Sequence, residues 1–216
     1  MASVVGICNI ALSNIRAGSI NSLTEGSLQA QQCKLKYDVV RQMILTDINW
    51  QFAMRTRPLA LLGVDVFNWA YAYQYPSDCL KIDRLLLNLE EVHVGTTDTV
   101  SRHYRAGDPV INLDTPVEYE IQNVDGNRVI VSNDADLRAR FTVNVQDPSL
   151  FGSTFTIAFA HLLASELAIP LAGAELGRSL RSDELSLYSK YIASASANNF
   201  NEQHQTEPDS DFITIR

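Results

Sequence analysis

The chain has 216 residues, a net charge of -8 and a pI of about 4.9, and 46% of its residues are hydrophobic. This length can bury one good core, or one core with a smaller inserted module, and the apolar content argues against wholesale disorder. An acidic surface repels phosphate, so specific nucleic-acid binding is not expected. Simple solubility accounts for most charges of this size.

The cysteines and histidines give no sign of a metal or redox site. Cys8, Cys33 and Cys79 are far apart and form no CxxC motif, which predicts buried, reduced thiols in a protein made in the cytoplasm. The four histidines lack zinc-ligand spacing, so no metal and no cofactor is predicted. The N-terminal 16 residues lack the pattern of a signal peptide. The longest apolar stretch, 155–172, is interrupted by polar residues and is predicted to be a core helix.

Two amphipathic helices are predicted at the start of the chain, over residues 3–16 and 27–48, with Ser27 as the N-cap of the second. The first has an apolar stripe at Val4, Cys8, Ala11, Leu12 and Ile15. The second is predicted to bury one face formed by Cys33, Tyr37, Val40, Ile44 and Ile48. Its charged residues, Arg41 among them, are predicted to lie elsewhere.

The middle of the chain has the features of β-structure. From about residue 58, prolines, glycines and alternating β-branched runs replace the helical spacing. Alternation over 117–121 and a β-branched run at 128–131, on either side of the turn at 123–126, predict a hairpin. The run 80–87 fits either a buried strand or a short helix.

Helical spacing returns after Pro148 and predicts helices over 150–170 and 174–199. The third helix is nearly all apolar and is predicted to end near Pro170 or Gly173. The fourth is predicted to bury Leu176, Leu180, Leu187, Tyr191 and Ile192. Its charged residues, including Glu184, are predicted to face outward.

These elements predict an α+β fold: a four-helix bundle with an inserted antiparallel β-rich module and an extended C-terminal tail. The bundle would comprise 1–58 and 149–200, the module 59–148 and the tail 201–216. The tail is polar and acidic before a strand-like tip. This tip is predicted to be a partner interface and consists of Phe212, Ile213, Thr214, Ile215 and Arg216.

An aromatic residue occupies every second position from residue 67 to 75, so in extended backbone all five rings would share one face. The rings belong to Phe67, Trp69, Tyr71, Tyr73 and Tyr75. No Lys or Arg lies between them, which argues against a nucleic-acid platform. The rings are predicted to close a core or an interface. A sugar platform, aided by the amides of Asn68 and Gln74, stays open.

Enzyme motifs are absent from the sequence: no GxSxG, GxGxxG, P-loop or HExxH occurs. The candidate catalytic carboxylates are Glu166, in the apolar third helix, and the pair Glu90 and Glu91. His161 is predicted to be a hydrogen-bonded core or interface histidine rather than a base. The alternative function is a carbohydrate-acting enzyme, cleaving peptidoglycan, or a sugar-binding module, using the aromatic rings and a carboxylate such as Glu166.

Several short motifs follow one another in a familiar order. They are the first helix with Asn9 and Leu12, Cys33-x3-Tyr37, Asn49-Trp-Gln-Phe-Ala53 with Pro58-Leu-Ala60, Trp69-x3-Tyr73-x2-Pro76-x-Asp78-Cys79-Leu80, Tyr119-Glu-Ile121, Asp147-Pro-Ser-Leu-Phe151 leading into Phe155, and Leu163-Ala-Ser-Glu-Leu-Ala168-x-Pro170-Leu171. Together they resemble the tail tubular protein A family, the adaptor or head-to-tail connector of short-tailed bacteriophages. The resemblance runs from about residue 7 to about residue 190 and leaves the C-terminal tail outside it.

The resemblance implies a structural virion protein rather than an enzyme. Twelve copies would form a ring between the portal protein at the capsid vertex and the hexameric tail nozzle, a tubular protein B-like protein. The helical part would meet the portal and the β part the nozzle, and genomic DNA would pass through the ring without specific binding. Such a protein is made in the host cytoplasm, acts in the neck of the virion and needs no membrane. Its ring contacts require two different patches on each subunit.

Overall fold

A computed structural model describes residues 2–87 and 117–202, with side chains described up to residue 197. The fold is α+β, as the sequence predicts, and its described part has four α-helices and two antiparallel sheets. The helices are α1 (Val4–Asn14), α2 (Leu28–Asp47), α3 (Ser153–Ala172) and α4 (Ala174–Glu202). The strands are β1 (Met54–Pro58), β2 (Leu61–Leu62), β3 (Tyr71–Gln74), β4 (Cys79–Leu87), β5 (Tyr119–Val124), β6 (Asn127–Ser132) and β7 (Leu137–Val143). Two sequence predictions, the candidate pair Glu90 and Glu91 and the tip at 212–216, lie outside the described residues.

The chain divides into two compact units. One comprises residues 1–52 and 145–216 and contains the four helices; the other comprises residues 53–144 and contains the strands. The β unit therefore begins with β1, on the N-terminal side of residue 59. In the helical unit, α4 continues to Glu202. The spacing of apolar residues predicted that this helix ends at residue 199, so it is longer than predicted.

The helix ends follow local capping chemistry. The Ser27 hydroxyl accepts a hydrogen bond from the Ala30 amide at 3.2 Å, which confirms the predicted N-cap of α2. The third helix, α3, continues through Pro170 and ends at Ala172. Pro170 lies in the last turn, where its missing N–H removes one bond of the ladder without breaking the helix. Gly173 then takes a φ of 80°, a left-handed conformation that stops the helix.

The buried helix α3 is the core of the helical unit. It packs against α1, α2 and α4, and Phe155, Phe159, Leu163 and Leu167 are fully or almost fully buried. Its length and hydropathy also suit a membrane span, and more than half of the helix is buried inside the protein. Aromatic packing extends this core, since the ring centroids of Trp50 and Phe155 lie 4.9 Å apart, edge to face.

The buried face of α4 differs from the one that the apolar spacing predicted. The buried residues are Gly177, Glu184, Tyr188 and Ala195, about one position further round the helix. The predicted core residues Leu176 and Leu187 are instead 60% and 37% exposed. The reason is a close backbone approach, because a Cβ on Gly177 would lie 2.7 Å from the Ala168 carbonyl oxygen. Only glycine fits there, so α4 turns this side toward α3.

Substituting Gly177 tests this close approach. We expect Gly177→Ala to lower the free energy of unfolding by about 1–3 kcal/mol, because the new methyl group meets backbone atoms that cannot swing away. The intrinsic preference of helices for alanine, about 1 kcal/mol, offsets part of this loss. Gly26→Ala is the matched control, since a Cβ there meets nothing within 4 Å. Urea denaturation of both variants measures the difference, and equal midpoints would contradict the packing assignment.

The β unit contains two antiparallel sheets. One has three strands in the order β1-β7-β4, and the other has four in the order β2-β3-β6-β5. The run 80–87, which fitted strand or helix, lies within β4, where two register shifts interrupt its pairing with β7. The predicted hairpin is confirmed as β5–β6. Asp125 and Gly126 at its turn have φ values of 51° and 80°, the left-handed pair that a two-residue turn of this kind needs.

Candidate functional site

The aromatic stretch at 67–75 does not form one extended face, so that prediction is wrong. Asn68 has a φ of 66°, and Val66 and Trp69 form an isolated bridge around it, which makes a tight turn inside the stretch. Alternating extended backbone begins only with β3. Phe67, at the turn, is 86% exposed, whereas Tyr73 is 1% exposed. The spacing of the rings could not reveal the turn, because asparagine tolerates the left-handed conformation without a glycine.

The rings on either side of the turn pack on different faces of the four-stranded sheet. Trp69 packs against a cluster that includes Ala72 and Val131. Tyr71 and Tyr73 lie on the opposite face, with ring centroids 6.4 Å apart. The Tyr73 hydroxyl donates to the Asp134 carbonyl at 2.7 Å and so holds the loop before β7. Trp69 and Tyr73 are packing residues, and the five rings offer no common platform.

Tyr75 lines a groove of about 540 Å³ in the β unit, together with Gln74, Asn127 and Arg128. The Arg128 guanidinium lies 4.1 Å from the centroid of the Tyr75 ring, a cation–π contact that covers this face of the ring. Burial raises the pKa of Tyr75 to about 12, and the contact of its hydroxyl with Cys79 Sγ, 3.2 Å away, adds to the effect. The groove could hold a small polar molecule, but the arginine occupies the ring face that a sugar would use.

Glu166, the first catalytic candidate, links three helices. Its carboxylate lies 3.3 Å from Lys36 Nζ on α2 and 3.0 Å from Arg181 Nη2 on α4, and its side chain is 23% exposed. Carboxylate catalysis needs a second carboxylate converging on a cleft. In the described part of the chain, Glu166 forms ion pairs with the cations Lys36 and Arg181. We therefore assign it to helix packing.

His161 forms a buried polar cluster with residues from two other helices. Its Nδ1 lies 2.7 Å from Glu184 Oε2, and the Asn14 amide donates to the same oxygen at 3.1 Å. The Asn14 amide nitrogen also lies 3.2 Å from His161 Nδ1, so the three polar side chains contact one another. The Tyr191 ring stacks on the imidazole with centroids 5.2 Å apart. His161 is thus a hydrogen-bonded histidine, as predicted, and Glu184 is its partner rather than an outward-facing residue.

Arg41 was predicted to lie off the buried face of α2, but it is 2% exposed. Its Nη1 donates to the Val145 carbonyl at 2.6 Å, and its Nη2 lies 3.2 Å from Asp38 Oδ1. The long side chain follows the core and brings its charge to backbone and carboxylate oxygens, so burial is compensated. Arg41 ties α2 to the segment that leads into α3.

The outer side of α2 carries a row of exposed apolar side chains. Its large apolar residues are exposed by 47% or more, namely Leu28, Leu35, Val39 and Met43. Their spacing places them on one side of the helix, and Gln32, Gln42 and Thr46 between them carry no charge. We call these seven residues the α2 apolar face. A contiguous apolar surface of this kind makes the face a candidate binding surface.

The sequence analysis predicts only the buried face of α2, because the apolar positions from Cys33 to Ile48 give the stronger helical periodicity. The step of four residues from Leu35 to Val39 and on to Met43 is a second stripe, and it was available as a signal. No family model matches this chain, and no curated protein matches its sequence. The assignment of a function therefore has to rest on these surfaces and on the motifs of the sequence.

Tyr37, in the core beneath this face, has an unusual hydroxyl group. The residue is 5% exposed, its ring centroid lies 4.9 Å from that of Phe159, and its oxygen has no hydrogen-bond partner in the described structure. Burial raises the pKa of Tyr37 above its ordinary value, with a smaller contribution from Cys8. A phenol with a raised pKa stabilises the fold below the unfolded-state value of about 10 and loses that contribution as the pH rises further.

We expect Tyr37→Phe to keep or raise stability at pH 7, by up to about 1 kcal/mol, because it removes a buried hydroxyl without a partner. The variant should also lose less stability than the parent protein between pH 8 and pH 11. Tyr188→Phe is the comparison, since the Tyr188 hydroxyl donates to Asp47 and its loss should destabilise at pH 7. Urea denaturation at both pH values measures these effects. Strong destabilisation by Tyr37→Phe at pH 7 would reveal a missed partner.

Proposed function

We propose that this protein is a structural virion protein, the adaptor ring that joins the portal at the capsid vertex to the tail nozzle of a short-tailed phage. The ring would contain twelve copies and form part of the DNA ejection channel. The α2 apolar face carries this proposal, because it is a large apolar surface on a chain whose first catalytic candidate, Glu166, joins helices through ion pairs. The motifs that resemble the tail tubular protein A family are the reason for proposing this particular assembly.

The exposed apolar surface is what subunit contacts remove from water. Fully burying one side chain such as Leu35 or Met43 contributes about 1.5–3 kcal/mol. In an isolated subunit these groups stay exposed on α2. A partner that covers several of them at once overcomes the entropy lost on association, whereas a single exposed leucine would not.

A ring also needs a second, different patch on each subunit. On α4 the Gly177 contact turns Leu176 and Leu187 outward, and this places apolar groups on a helix other than α2. In the proposed architecture the helices form a four-helix bundle, the β unit is a module inserted into it, and the C-terminal residues form an extended tail. The net charge of -8 suits a channel that must release DNA rather than retain it.

The placement of the rings and of Glu166 supports this function over the carbohydrate-acting alternative. A sugar platform needs neighbouring ring faces, whereas Phe67, Trp69 and Tyr73 have three different environments. The candidate carboxylate, Glu166, is paired with Lys36 and Arg181 in the helical unit.

The α2 apolar face gives the test. We expect the double variant Leu35→Glu and Val39→Glu to fold with nearly unchanged stability, because both side chains are exposed by more than half. Assembly into rings, or onto purified portal, should weaken at least about a hundredfold, since two charges would be buried without partners. Light scattering coupled to size-exclusion chromatography, with and without portal, measures the assembled mass.

Lys34→Glu is the matched control for this variant. It changes the net charge by the same amount on an exposed position of the same helix, beside the α2 apolar face. Assembly should survive in the control and fail in the double variant. A double variant that assembles like the parent protein would remove the face from the proposal. A virion reconstruction with the protein away from the portal–nozzle junction would remove the function itself.

The C-terminal tip at 212–216 is proposed to anchor the subunit to the portal or to a neighbouring subunit. The acidic stretch before it would act as a spacer, since its composition cannot bury enough apolar surface to fold alone. Deleting residues 205–216 should leave the melting temperature of the subunit nearly unchanged and weaken its attachment to portals. Equal attachment of the truncated and full chains would exclude the anchor.

A further inference from the structure

Charge is divided unevenly between the two sheets of the β unit. The three strands of the β1-β7-β4 sheet contain six cationic side chains and one acidic one, Asp83. The cationic residues are Arg55, Arg57, Lys81, Arg84, Arg138 and Arg140. The β5–β6 hairpin and the residue before it contain Glu118, Glu120 and Asp125 against one cation, Arg128. The three-stranded sheet is therefore basic in a chain that is acidic as a whole.

The asymmetry is sharpest on two edge strands. β1 is an outer strand of the three-stranded sheet and β5 is an outer strand of the four-stranded sheet, and within the described residues neither pairs on its outer side. Four of the five residues of β1, from Arg55 to Pro58, are exposed, as are Glu120 and Ile121 on β5. The other two edges are less suited to pairing, because β2 has only two residues and β4 is distorted by two register shifts.

The charges on these two edges have the same period. Arg55 and Arg57 are two residues apart on β1, so they lie on one face of their strand, and Glu118 and Glu120 are two residues apart at the start of β5. If the two edges paired, both arginines could stand opposite or diagonal to both glutamates on a single face of the joined sheet. Opposite charges across a strand pair are stabilising, and like charges are destabilising.

The charged side chains of both edges lie at the surface. Arg57 Nη1 lies 3.0 Å from Asp78, and its guanidinium lies 5.6 Å from the centroid of Phe141, yet its side chain is 52% exposed. Arg55 Nη1 donates to the Met54 carbonyl at 2.7 Å, and the residue is exposed. On the other edge, one carboxylate oxygen of Glu120 accepts a hydrogen bond from Gln122 at 3.2 Å, and the residue is exposed. Each of these charges remains at the surface.

The sign of the charges selects the partner. Charged side chains commonly keep edge strands from pairing with one another. Here β1 repels a second β1 and β5 repels a second β5, so symmetric edge pairing between copies is disfavoured. Pairing of β1 with β5 of another copy brings opposite charges together. That contact is heterologous, since it uses two different patches, and repeated contacts of this kind close into a ring when the rotation allows.

We propose that β1 of one copy pairs with β5 of the next copy, so that the β units join head to tail through main-chain hydrogen bonds and Arg–Glu contacts. The occupant of the basic edge is thus a second copy of this chain. This inference rests on the proposed ring function and specifies one of its contacts. Pro58 ends the available edge and keeps the joined segment short, which makes the charges important for its register.

Reversing the charge of each edge tests the pairing in the full-length protein. One variant carries Arg55→Glu and Arg57→Glu, and a second carries Glu118→Lys and Glu120→Lys. Each should weaken association between copies at least about tenfold, because like charges would then face each other across the contact. A third variant with all four changes should recover association to within about threefold of the parent protein, since the charges are again complementary.

Arg128→Glu with Arg138→Glu is the matched control. Both arginines are exposed on inner strands, β6 and β7, and the pair of changes alters the net charge as much as the β1 variant does. This control should associate like the parent protein. Light scattering over a range of concentrations measures association, and circular dichroism checks folding. If a reversed edge fails to fold, the milder pair Glu118→Gln and Glu120→Gln should still weaken association in a folded chain.

The outcomes separate this inference from the function on which it rests. If rings or portal complexes form and neither reversed edge weakens them, the edge contact is wrong and the adaptor function stands. If both reversals weaken association but the four-residue variant does not recover it, the edges do not face each other. Loss in the β1 variant alone would point to a different anionic occupant, such as the acidic C-terminal segment or nucleic acid. A parent protein that never associates, alone or with portal, would overturn both proposals.

Discussion

The close approach of α4 to α3 at Gly177 determines much of the helical unit. A side chain at this position would collide with the backbone of Ala168 and Ile169, so only glycine lets the two helices come this near. The rotation of α4 that follows brings Glu184 inward to His161, where burial is compensated by hydrogen bonds from three helices. The same rotation moves Leu176 outward. One small residue thus sets both a polar contact in the core and an apolar group at the surface.

The sequence predicted the type of most elements, because type depends on local periodicity, but it did not decide between strand and helix for the run 80–87 that lies in β4. The α+β class, the four helices and the hairpin with Asp125 and Gly126 at its turn all follow from spacing and turn chemistry. Faces were predicted less well. Apolar spacing assumes that large residues pack inward, and α4 departs from this at Gly177, where the absence of a side chain decides the contact. Arg41 also differs from the prediction that charged residues stay off the buried face. Its long aliphatic chain is buried and lets the guanidinium reach the Val145 carbonyl oxygen.

The candidate surfaces were harder to predict than the fold. The regular spacing of aromatics at 67–75 indicated one face, but a single left-handed residue, Asn68, divides the stretch and sends its rings to different places. The α2 apolar face carries a readable stripe, yet a stripe does not say which of two apolar sides of a helix faces the core. That choice is made by α3, which covers the Cys33 side and leaves Leu35 and Val39 in water. Tertiary packing, rather than local pattern, decides what remains exposed.

In the proposed ring, the two units would contribute contacts of different physical kinds, and the assembly would need both. The apolar surface of the helical unit supplies a large and non-directional contribution, which favours association but specifies the partner's orientation weakly. In the proposed contact, the edges of the β unit would supply charge and backbone groups that pair with no other described strand. These contribute less energy but would distinguish head-to-tail from symmetric contacts. Arg55 and Glu120 would favour a head-to-tail contact, because they carry opposite charges on edge strands of different sheets. A subunit with only apolar faces would aggregate without order, and one with only charged edges would associate too weakly to hold a ring.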